Sequence, residues 1–498
     1  MRRLFDQLQA WLRIILDPAR LAASPDMRFL GRTLWLATVV GVACGLIGVA
    51  FVAATDLVER MLIEHVAGVA LLRAAGERPA IAPTNTGFPF ALALIPALGA
   101  LLAGLLLRLA PEAQGGGVDA SLRAYHQEAA HMRRRVAFVK LAASALTLGS
   151  GGSGGREGPT MQIGSAIGAG LARAFRLDER ERRLLFIAGI AAGIAAVFRT
   201  PLGAALFAVE VLYKEGFESD ALIPAVLASV AGYTVTVLFF GEHTLFYFPR
   251  SLHFVPQHLP LYVLLGLVCA AAGGAFMSAL HRVRALVASS GVPVWAAPAL
   301  GGLAMGVVAS CTAFAAARIF EFGVSGLGLV GSGYGMLQAV FSHEAWMPAG
   351  FSGFAFFVAL SVLKIACTAF TVGSGGSAGD FAPALVVGGL SGAALALGVD
   401  AVFPSLDVDP AAFALVGMAA MFGGAAHVPL AALVLVSEMA GSYALLVPTM
   451  LAIGVTSILF RHRSLYQAQR TSPHRARTTT TSGAEISGSF EIPVNKPS

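Results

Sequence analysis

Residues 149–164 read GSGGSGGREGPTMQIG, and residues 373–388 read GSGGSAGDFAPALVVG. The two stretches share nine of twenty positions when the comparison continues to Gly168 and Gly392. The match extends backward, because FVKLAASALTLG before the first stretch pairs with VLKIACTAFTVG before the second. When the alignment is shifted by four residues, the match also extends forward, to segments that end at Glu210 and Glu438. The chain therefore contains two halves of similar sequence.

The composition of the chain predicts a membrane protein. Of the 498 residues, 56% are apolar and 12% are charged, and the mean hydropathy is +0.75, whereas soluble domains average about 25% charged residues. Eight apolar runs are each near the roughly 20 residues that cross a bilayer as a helix, and they lack the alternation of barrel strands. These runs are residues 33–55, 88–107, 221–240, 259–280, 294–314, 351–368, 411–435 and 445–460. We predict an all-α polytopic membrane protein.

Each glycine-rich stretch is interrupted by a proline, Pro159 in the first half and Pro383 in the second. Proline suits the first turn of a helix, and glycine permits the turn that precedes it. Corresponding Gly/Pro-interrupted segments in two halves of a transporter indicate inverted repeats with a substrate site where the broken helices meet. The alternative is a duplicated packing unit that has no site.

The chemistry of these turns favours an anion. A dinucleotide site would need a strand before the glycines, but KLAASALTLG has helical character, and a phosphate loop would need Gly-Lys-Ser/Thr. A helix N-terminus that opens inside the membrane presents free N–H groups and a partial positive charge, which bind anions. Such backbone donors hold an anion weakly enough for it to leave again. We therefore predict an anion pathway.

The distribution of charge predicts topology rather than nucleic-acid binding. Lys and Arg cluster in the first 32 residues, at residues 131–135, around residues 282–284 and at residues 461–463. By the positive-inside rule these segments face the cytoplasm, with both termini inside. We see no catalytic motif of a hydrolase or metalloprotease, and we predict neither an enzyme nor a bound cofactor or metal. The four cysteines stand singly in apolar runs and do not indicate disulfides.

Four segments are predicted along the chain. Residues 1–32 form a cytoplasmic N-terminal amphipathic helix, because apolar residues recur at helical spacing from Leu4 to Ile15; a first tilted span is the alternative. Residues 33–240 form the first membrane repeat, and residues 241–467 form the second. Residues 468–498, rich in Thr, Ser and Arg, form a disordered cytoplasmic tail.

These motifs resemble the CLC family of chloride channels and chloride/proton antiporters, over about residues 30–467. GREGP at residues 155–159 is similar to the family's G-[KR]-E-G-P stretch, and GDFAP at residues 379–383 resembles its G-x-F-x-P stretch. The resemblance implies a homodimer in a lipid bilayer, in which each subunit has about 18 tilted and broken helices in two inverted-topology repeats. A compact chain of this kind suggests the inner (plasma) membrane of a bacterium.

The resemblance also implies roles for individual residues. Glu157 corresponds to the gating glutamate, whose carboxylate takes the anion's place and must yield for conduction. The residues that would bind chloride, mostly through backbone N–H groups, are Gly116, Gly117, Val118, Gly155, Arg156, Gly158, Asp380, Phe381, Ala382 and Tyr466. Tyr466 would offer its hydroxyl, although a tyrosine at this depth can also be an interfacial anchor. Lys140 and Lys364 are interpreted as snorkelling residues or members of internal ion pairs.

Two departures from the family pattern concern the binding site itself. GGGVD at residues 115–119 stands where the family has G-S-G-I-P, so Gly116 lacks a chloride-binding hydroxyl and Asp119 replaces proline. Asp380 stands where an apolar residue is common. Because a carboxylate facing the ion would repel it, we expect Asp380 to turn away or to pair with a cation such as Arg156.

A third departure concerns protons. The antiporters carry a second glutamate directly after the position of Glu210, and here that position is Val211. Valine cannot relay a proton, so the sequence favours a chloride channel with a glutamate gate. A proton-coupled chloride antiporter is the alternative, with Glu210 as a possible proton site, although its repeat mate Glu438 favours a structural role for both.

Overall fold

The computed structural model of the chain describes residues 25–69, 71–77, 91–319 and 327–472. Within these ranges it is almost entirely helical, with sixteen α-helices and strand pairing limited to isolated bridges. The helices are α1 (Pro25–Glu59), α2 (Ala91–Leu107), α3 (Val118–Gln127), α4 (Arg135–Gly149), α5 (Glu157–Ala174), α6 (Glu179–Phe198), α7 (Pro201–Glu210), α8 (Leu222–Phe240), α9 (Leu259–Ser289), α10 (Ala297–Ile319), α11 (Tyr334–Phe341), α12 (Gly350–Thr368), α13 (Phe381–Val402), α14 (Pro410–Ala425), α15 (Pro429–Ala440) and α16 (Leu446–Leu459).

Six of these helices, together with the turns that continue them, are long and apolar enough to cross a bilayer. They are α1, α8, α9, α10, α12 and α13. Their outer faces carry large apolar side chains, such as Trp35 at 60% exposed and Leu238 at 79% exposed. Such surfaces suit contact with lipid, and the all-α polytopic prediction is confirmed.

Several predicted boundaries differ from the observed elements. The apolar run at residues 411–435 is two helices, because α14 ends at Ala425 and α15 begins at Pro429. Pro429 has no N–H to continue a helix, and His427 takes a left-handed φ of +54°. At the N-terminal end, α1 already begins at Pro25, inside the segment predicted as an amphipathic helix, and residues 1–24 of that segment lie outside the described residues.

The two halves contact each other reciprocally, as a pseudo-two-fold axis requires. The carboxylate of Glu210 at the end of α7 accepts hydrogen bonds from the backbone N–H groups of Leu430 and Ala431 at the start of α15. Glu438 of α15 accepts in turn from Leu202 and Gly203 at the start of α7. The inverted-repeat prediction is therefore confirmed in the packing of the two halves.

Small residues bring the central helices of each half together. A Cβ atom on Gly164 of α5 would lie 2.0 Å from the carbonyl oxygen of Gly189 on α6. In the second half, a Cβ atom on Gly388 of α13 would lie 2.3 Å from the carbonyl oxygen of Gly417 on α14. Close backbone approach through glycine is typical of helix packing in membranes, where dispersion contacts drive association. This packing fixes where α5 and α13 begin.

The segment that follows α16 packs back onto the helices. The N–H of Leu465 donates to the carbonyl of Ala425 at 2.8 Å, and the N–H of Ala468 donates to Asp119 Oδ1 at 3.0 Å. Gln469 Nε2 donates to the carbonyls of Val211 and Ala426 at 2.9 and 2.8 Å. The disordered tail predicted to begin at residue 468 therefore does not begin there, because residues 468 and 469 bond to the helices. Residues 473–498 lie outside the described residues.

Candidate anion-binding site

The two glycine-rich turns meet in space. Gly155 and Gly379 form an isolated antiparallel bridge, in which each N–H donates to the other residue's carbonyl at 2.8 Å. Helix α5 begins two residues after this bridge at Glu157, and α13 begins two residues after it at Phe381. The prediction that two broken helices point their N-termini at one place is confirmed.

Glycine is required in these turns for two separate reasons. Gly151 and its repeat mate Gly375 have φ values of +99° and +97°, which side chains rarely adopt. The glycines nearest the bridge are needed instead for close approach, since a Cβ atom on Gly158 would lie 2.1 Å from the carbonyl oxygen of Gly116. Helix α3 begins at Val118, directly after the loop that contains Gly116. A third helix N-terminus therefore lies near the bridge.

Glu157 lies buried at the meeting point, with 2% of its surface exposed. Its Oε1 accepts a hydrogen bond from the hydroxyl of Tyr334 at 3.1 Å, whereas Oε2 has no hydrogen-bond partner. The carboxylate folds back over the turn, because a Cβ atom on Gly155 would lie 1.8 Å from Oε2. The same Cβ atom would lie 2.8 Å from the Cβ atom of Ala382 in the first turn of α13. The side chain that begins α5 in the first half thus lies beside the helix N-terminus of the second.

Aromatic rings surround the start of α13. The ring of Phe381 lies 5.2 Å from that of Phe198, 5.6 Å from that of Phe207 and 4.1 Å from that of Phe422, measured between centroids. All four side chains are buried. An apolar wall of this kind lowers the local dielectric constant, which strengthens the attraction between backbone N–H groups and an anion.

Two cavities reach the meeting point, and they share no lining residue. The Arg199 cavity, of about 470 Å³, is lined by Arg156, Glu157, Arg199 and Tyr334 among others. The Tyr466 cavity, of about 490 Å³, is lined by Gly116, Gly117, Val118, Asp119, Arg284, Asp380 and Tyr466 among others. Along the chain, Glu157 follows one residue of the Gly155–Gly379 bridge and Asp380 follows the other.

Asp380 does not lie as the sequence suggested. Its carboxylate is 4% exposed and lines the Tyr466 cavity, and its Oδ1 has no hydrogen-bond partner. Arg156, the expected partner, instead forms an ion pair with Asp56 at 2.8 Å on the side of the Arg199 cavity. The expected pairing of Asp380 with Arg156 is therefore not formed, because Arg156 is held by Asp56 on the side of the Arg199 cavity.

The two buried lysines are helix-loop anchors. Lys140 is fully buried, and its Nζ donates to the carbonyls of Ala113 and Gly115 at 2.9 and 2.6 Å. Lys364 is equally buried and donates to the carbonyls of Leu329 and Gly331 at 3.3 and 2.8 Å. The interpretation of these lysines as snorkelling or ion-paired is wrong, since each one satisfies backbone carbonyls of a glycine loop.

That second loop contains the main residue that sequence reasoning missed. GSGYG at residues 331–335 stands before Lys364 as GGGVD at residues 115–119 stands before Lys140. It delivers Tyr334, whose hydroxyl donates to Glu157. The repeated order of glycine loop, apolar helix and lysine is a signal that could have identified it.

Comparison with known proteins fixes the family. The sequence profile of the family described as "Voltage gated chloride channel" matches residues 98–461. The chain belongs to this family, the CLC family. One relative is the "H(+)/Cl(-) exchange transporter ClcA" of Yersinia pestis, 30% identical over 429 residues, which are 85% of this chain and 83% of the relative. Another is the "Putative chloride channel protein ClcB-like" of Ralstonia nicotianae, 29% identical over 384 residues, which are 76% of this chain and 84% of the relative.

Solved structures confirm the CLC fold. A slow cyanobacterial Cl⁻/H⁺ antiporter aligns with a TM-score of 0.69 at 23% identity, covering 86% of this chain and 94% of the antiporter. A CLC-type fluoride/proton antiporter aligns with a TM-score of 0.71 at 22% identity, covering 89% of this chain and 98% of the antiporter. The family resemblance predicted from GREGP and GDFAP is confirmed.

Proposed function

We propose that the chain transports chloride across the membrane, through a path that joins the Arg199 cavity to the Tyr466 cavity, with Glu157 as its gate. The observation that carries this proposal is the position of the Glu157 carboxylate at the start of α5, beside the first turn of α13. An anion and a carboxylate cannot occupy that place together, because both are negative and both require the same N–H groups. Release of the carboxylate therefore admits chloride.

The groups around this place suit a transported anion. The N–H groups of Phe381 and Ala382 supply partial positive charge without a full cation, so binding stays weak enough for release. The backbone at Gly117 and Val118 offers a further set from the side of the Tyr466 cavity. No reaction centre is needed for such a function.

The mode of transport that we propose is passive conduction. Val211 is fully buried and carries no titratable group, and the Glu210 carboxylate is engaged by two N–H groups of α15. Neither residue is free to relay protons from the Tyr466 side. Chloride/proton exchange is the alternative, which the printed name of the Yersinia pestis relative supports.

We further propose that the protein works as a homodimer in the inner membrane of a bacterium, with both termini and the Tyr466 cavity on the cytoplasmic side. The cluster of basic residues near Arg284 and after α16 supports this orientation through the positive-inside rule. Large exposed apolar side chains on α8 and α16, such as Leu238 and Ile458, supply surface for lipid and for a second subunit.

Chloride efflux from liposomes tests the proposal. We expect chloride to leave vesicles that contain the wild-type protein, and to leave faster at pH 7.5 after Glu157→Ala, since the gate is then absent. Glu215→Gln, which removes an exposed carboxylate, is the matched control and should leave efflux unchanged. Absence of efflux in every protein would overturn chloride transport, whereas proton movement driven uphill by a chloride gradient would establish exchange in place of conduction.

A further inference from the structure

We propose that Asp380 is a second gating carboxylate, which keeps chloride out of the path on the Tyr466 side until it accepts a proton from that cavity. This inference rests on the proposed chloride transport and adds a gate to it. Asp380 lies directly beside the Gly155–Gly379 bridge, one residue before α13 begins.

The Asp380 carboxylate lies in the space that a side chain at residue 116 would point into. An ideal Cβ atom on Gly116 would have Oδ1 and Oδ2 of Asp380 both at 3.8 Å. Gly116 thus leaves room for the carboxylate, and a larger residue there would press on it. Gly116, Asp380 and Tyr466 line the same cavity, so the negative charge of Asp380 faces the space that leads toward the helix N-termini.

Several buried polar atoms around the Gly155–Gly379 bridge lack a hydrogen-bond partner. Four buried side-chain atoms near the bridge have no hydrogen-bond partner, namely Asp380 Oδ1, Tyr466 OH, Gln162 Oε1 and Glu157 Oε2. Buried polar atoms are almost always satisfied by protein or by ordered water. Four unsatisfied atoms around one bridge indicate a space that water or an ion would occupy.

Charged groups of both signs surround Asp380. Arg284 of α9 and Lys140 of α4 attract it, and Asp119 of α3 opposes them. Lys140 already donates to two carbonyls. Glu112 and Arg123 also line the Tyr466 cavity. An ionised Asp380 at about 5 Å from a chloride, with an effective dielectric constant of about 20, would weaken binding by roughly two orders of magnitude.

The proton that neutralises Asp380 has a direct route. The carboxylate lines a cavity of about 490 Å³ whose other walls carry Asp119, Arg284 and the hydroxyl of Tyr466. Water in that cavity can deliver a proton to the Asp380 carboxylate. Once Asp380 is neutral, its repulsion of the anion disappears and its O–H can donate to chloride. Acidification on the Tyr466 side should therefore open the path.

Chloride binding to the purified protein, measured by calorimetry at pH 7.5 and pH 4.5, tests this inference. All variants carry Glu157→Gln, so that the first carboxylate does not contribute to the pH dependence. With Asp380 present, we expect weak binding at pH 7.5 that tightens at pH 4.5. With Asp380→Asn, we expect binding at least tenfold tighter at pH 7.5 and unchanged between the two pH values.

The matched control is Glu215→Gln in the same background. It removes an exposed carboxylate that lines neither cavity, so we expect less than a threefold change in affinity. Equal affinity and equal pH dependence with and without Asp380 would overturn the second gate while chloride transport stands. Absence of chloride binding and of efflux in every variant, wild type included, would overturn the proposed function and this inference with it.

Discussion

Replacing Tyr334 with phenylalanine should release the Glu157 gate. The hydroxyl of Tyr334 donates to Glu157 Oε1 at 3.1 Å, and it is the side-chain hydrogen bond that holds this carboxylate. The substitution removes one oxygen atom and keeps the ring. That ring packs edge-on against Phe246 and Phe198, at centroid distances of 5.7 and 6.3 Å, so the fold should persist.

The size of the effect follows from the energy of that bond. A hydrogen bond to a charged group contributes about 1.5–3 kcal/mol, and each 1.4 kcal/mol changes an equilibrium tenfold. Tyr334→Phe should therefore shift the balance between the bound and released carboxylate by roughly tenfold to hundredfold toward release. If release of the carboxylate limits transport, chloride efflux should rise by up to that factor.

The assay is chloride efflux from liposomes at pH 7.5, made into a double-mutant cycle. Tyr334→Phe is compared in the wild-type protein and in a Glu157→Ala protein, where the hydroxyl has no carboxylate to bind. We expect faster efflux in the first background and no change in the second. An equal effect of Tyr334→Phe in both backgrounds, or slower efflux in the wild type, would refute the role of Tyr334 as a holder of the gate.

Three further substitutions test the packing that positions the site. Lys140→Met and Lys364→Met should each lower the midpoint of thermal unfolding in detergent, because two buried carbonyls lose their donor. Each carbonyl left unsatisfied costs about 1–3 kcal/mol. An unchanged midpoint in both variants would show that the lysines are not loop anchors. Gly164→Ala should also destabilise, by about 1–3 kcal/mol, because its Cβ would lie 2.0 Å from the carbonyl oxygen of Gly189, whereas Gly454→Ala meets no atom within 4 Å and serves as the control. Equal midpoints for these two alanine variants would contradict the account of helix packing.

The sequence predicts the fold well because short local motifs recur in both halves of the chain. Glycine turns, prolines and terminal glutamates recur in the same order in both halves. The glycines and prolines act on backbone within a few positions, and two copies of the signal confirm each other. The meeting of Gly155 with Gly379 follows once the halves are placed around a two-fold axis.

The sequence predicts the side-chain partners of the site poorly. Arg156 and Asp380 occupy corresponding positions of the repeat, yet they face opposite sides of the bridge and pair differently. The bond between Tyr334 and Glu157 spans 177 residues. Such pairings depend on the direction in which each helix enters the centre, and no local pattern encodes that direction.

The most direct test of the central claim is the location of a bound anion. Crystals of a Glu157→Gln variant grown with bromide should show anomalous density beside the Gly155–Gly379 bridge, within hydrogen-bond reach of the N–H groups of Phe381 and Ala382. Bromide found at the protein surface alone, with the start of α13 empty in well-diffracting crystals, would contradict the claim that the two repeated helix N-termini form the anion site.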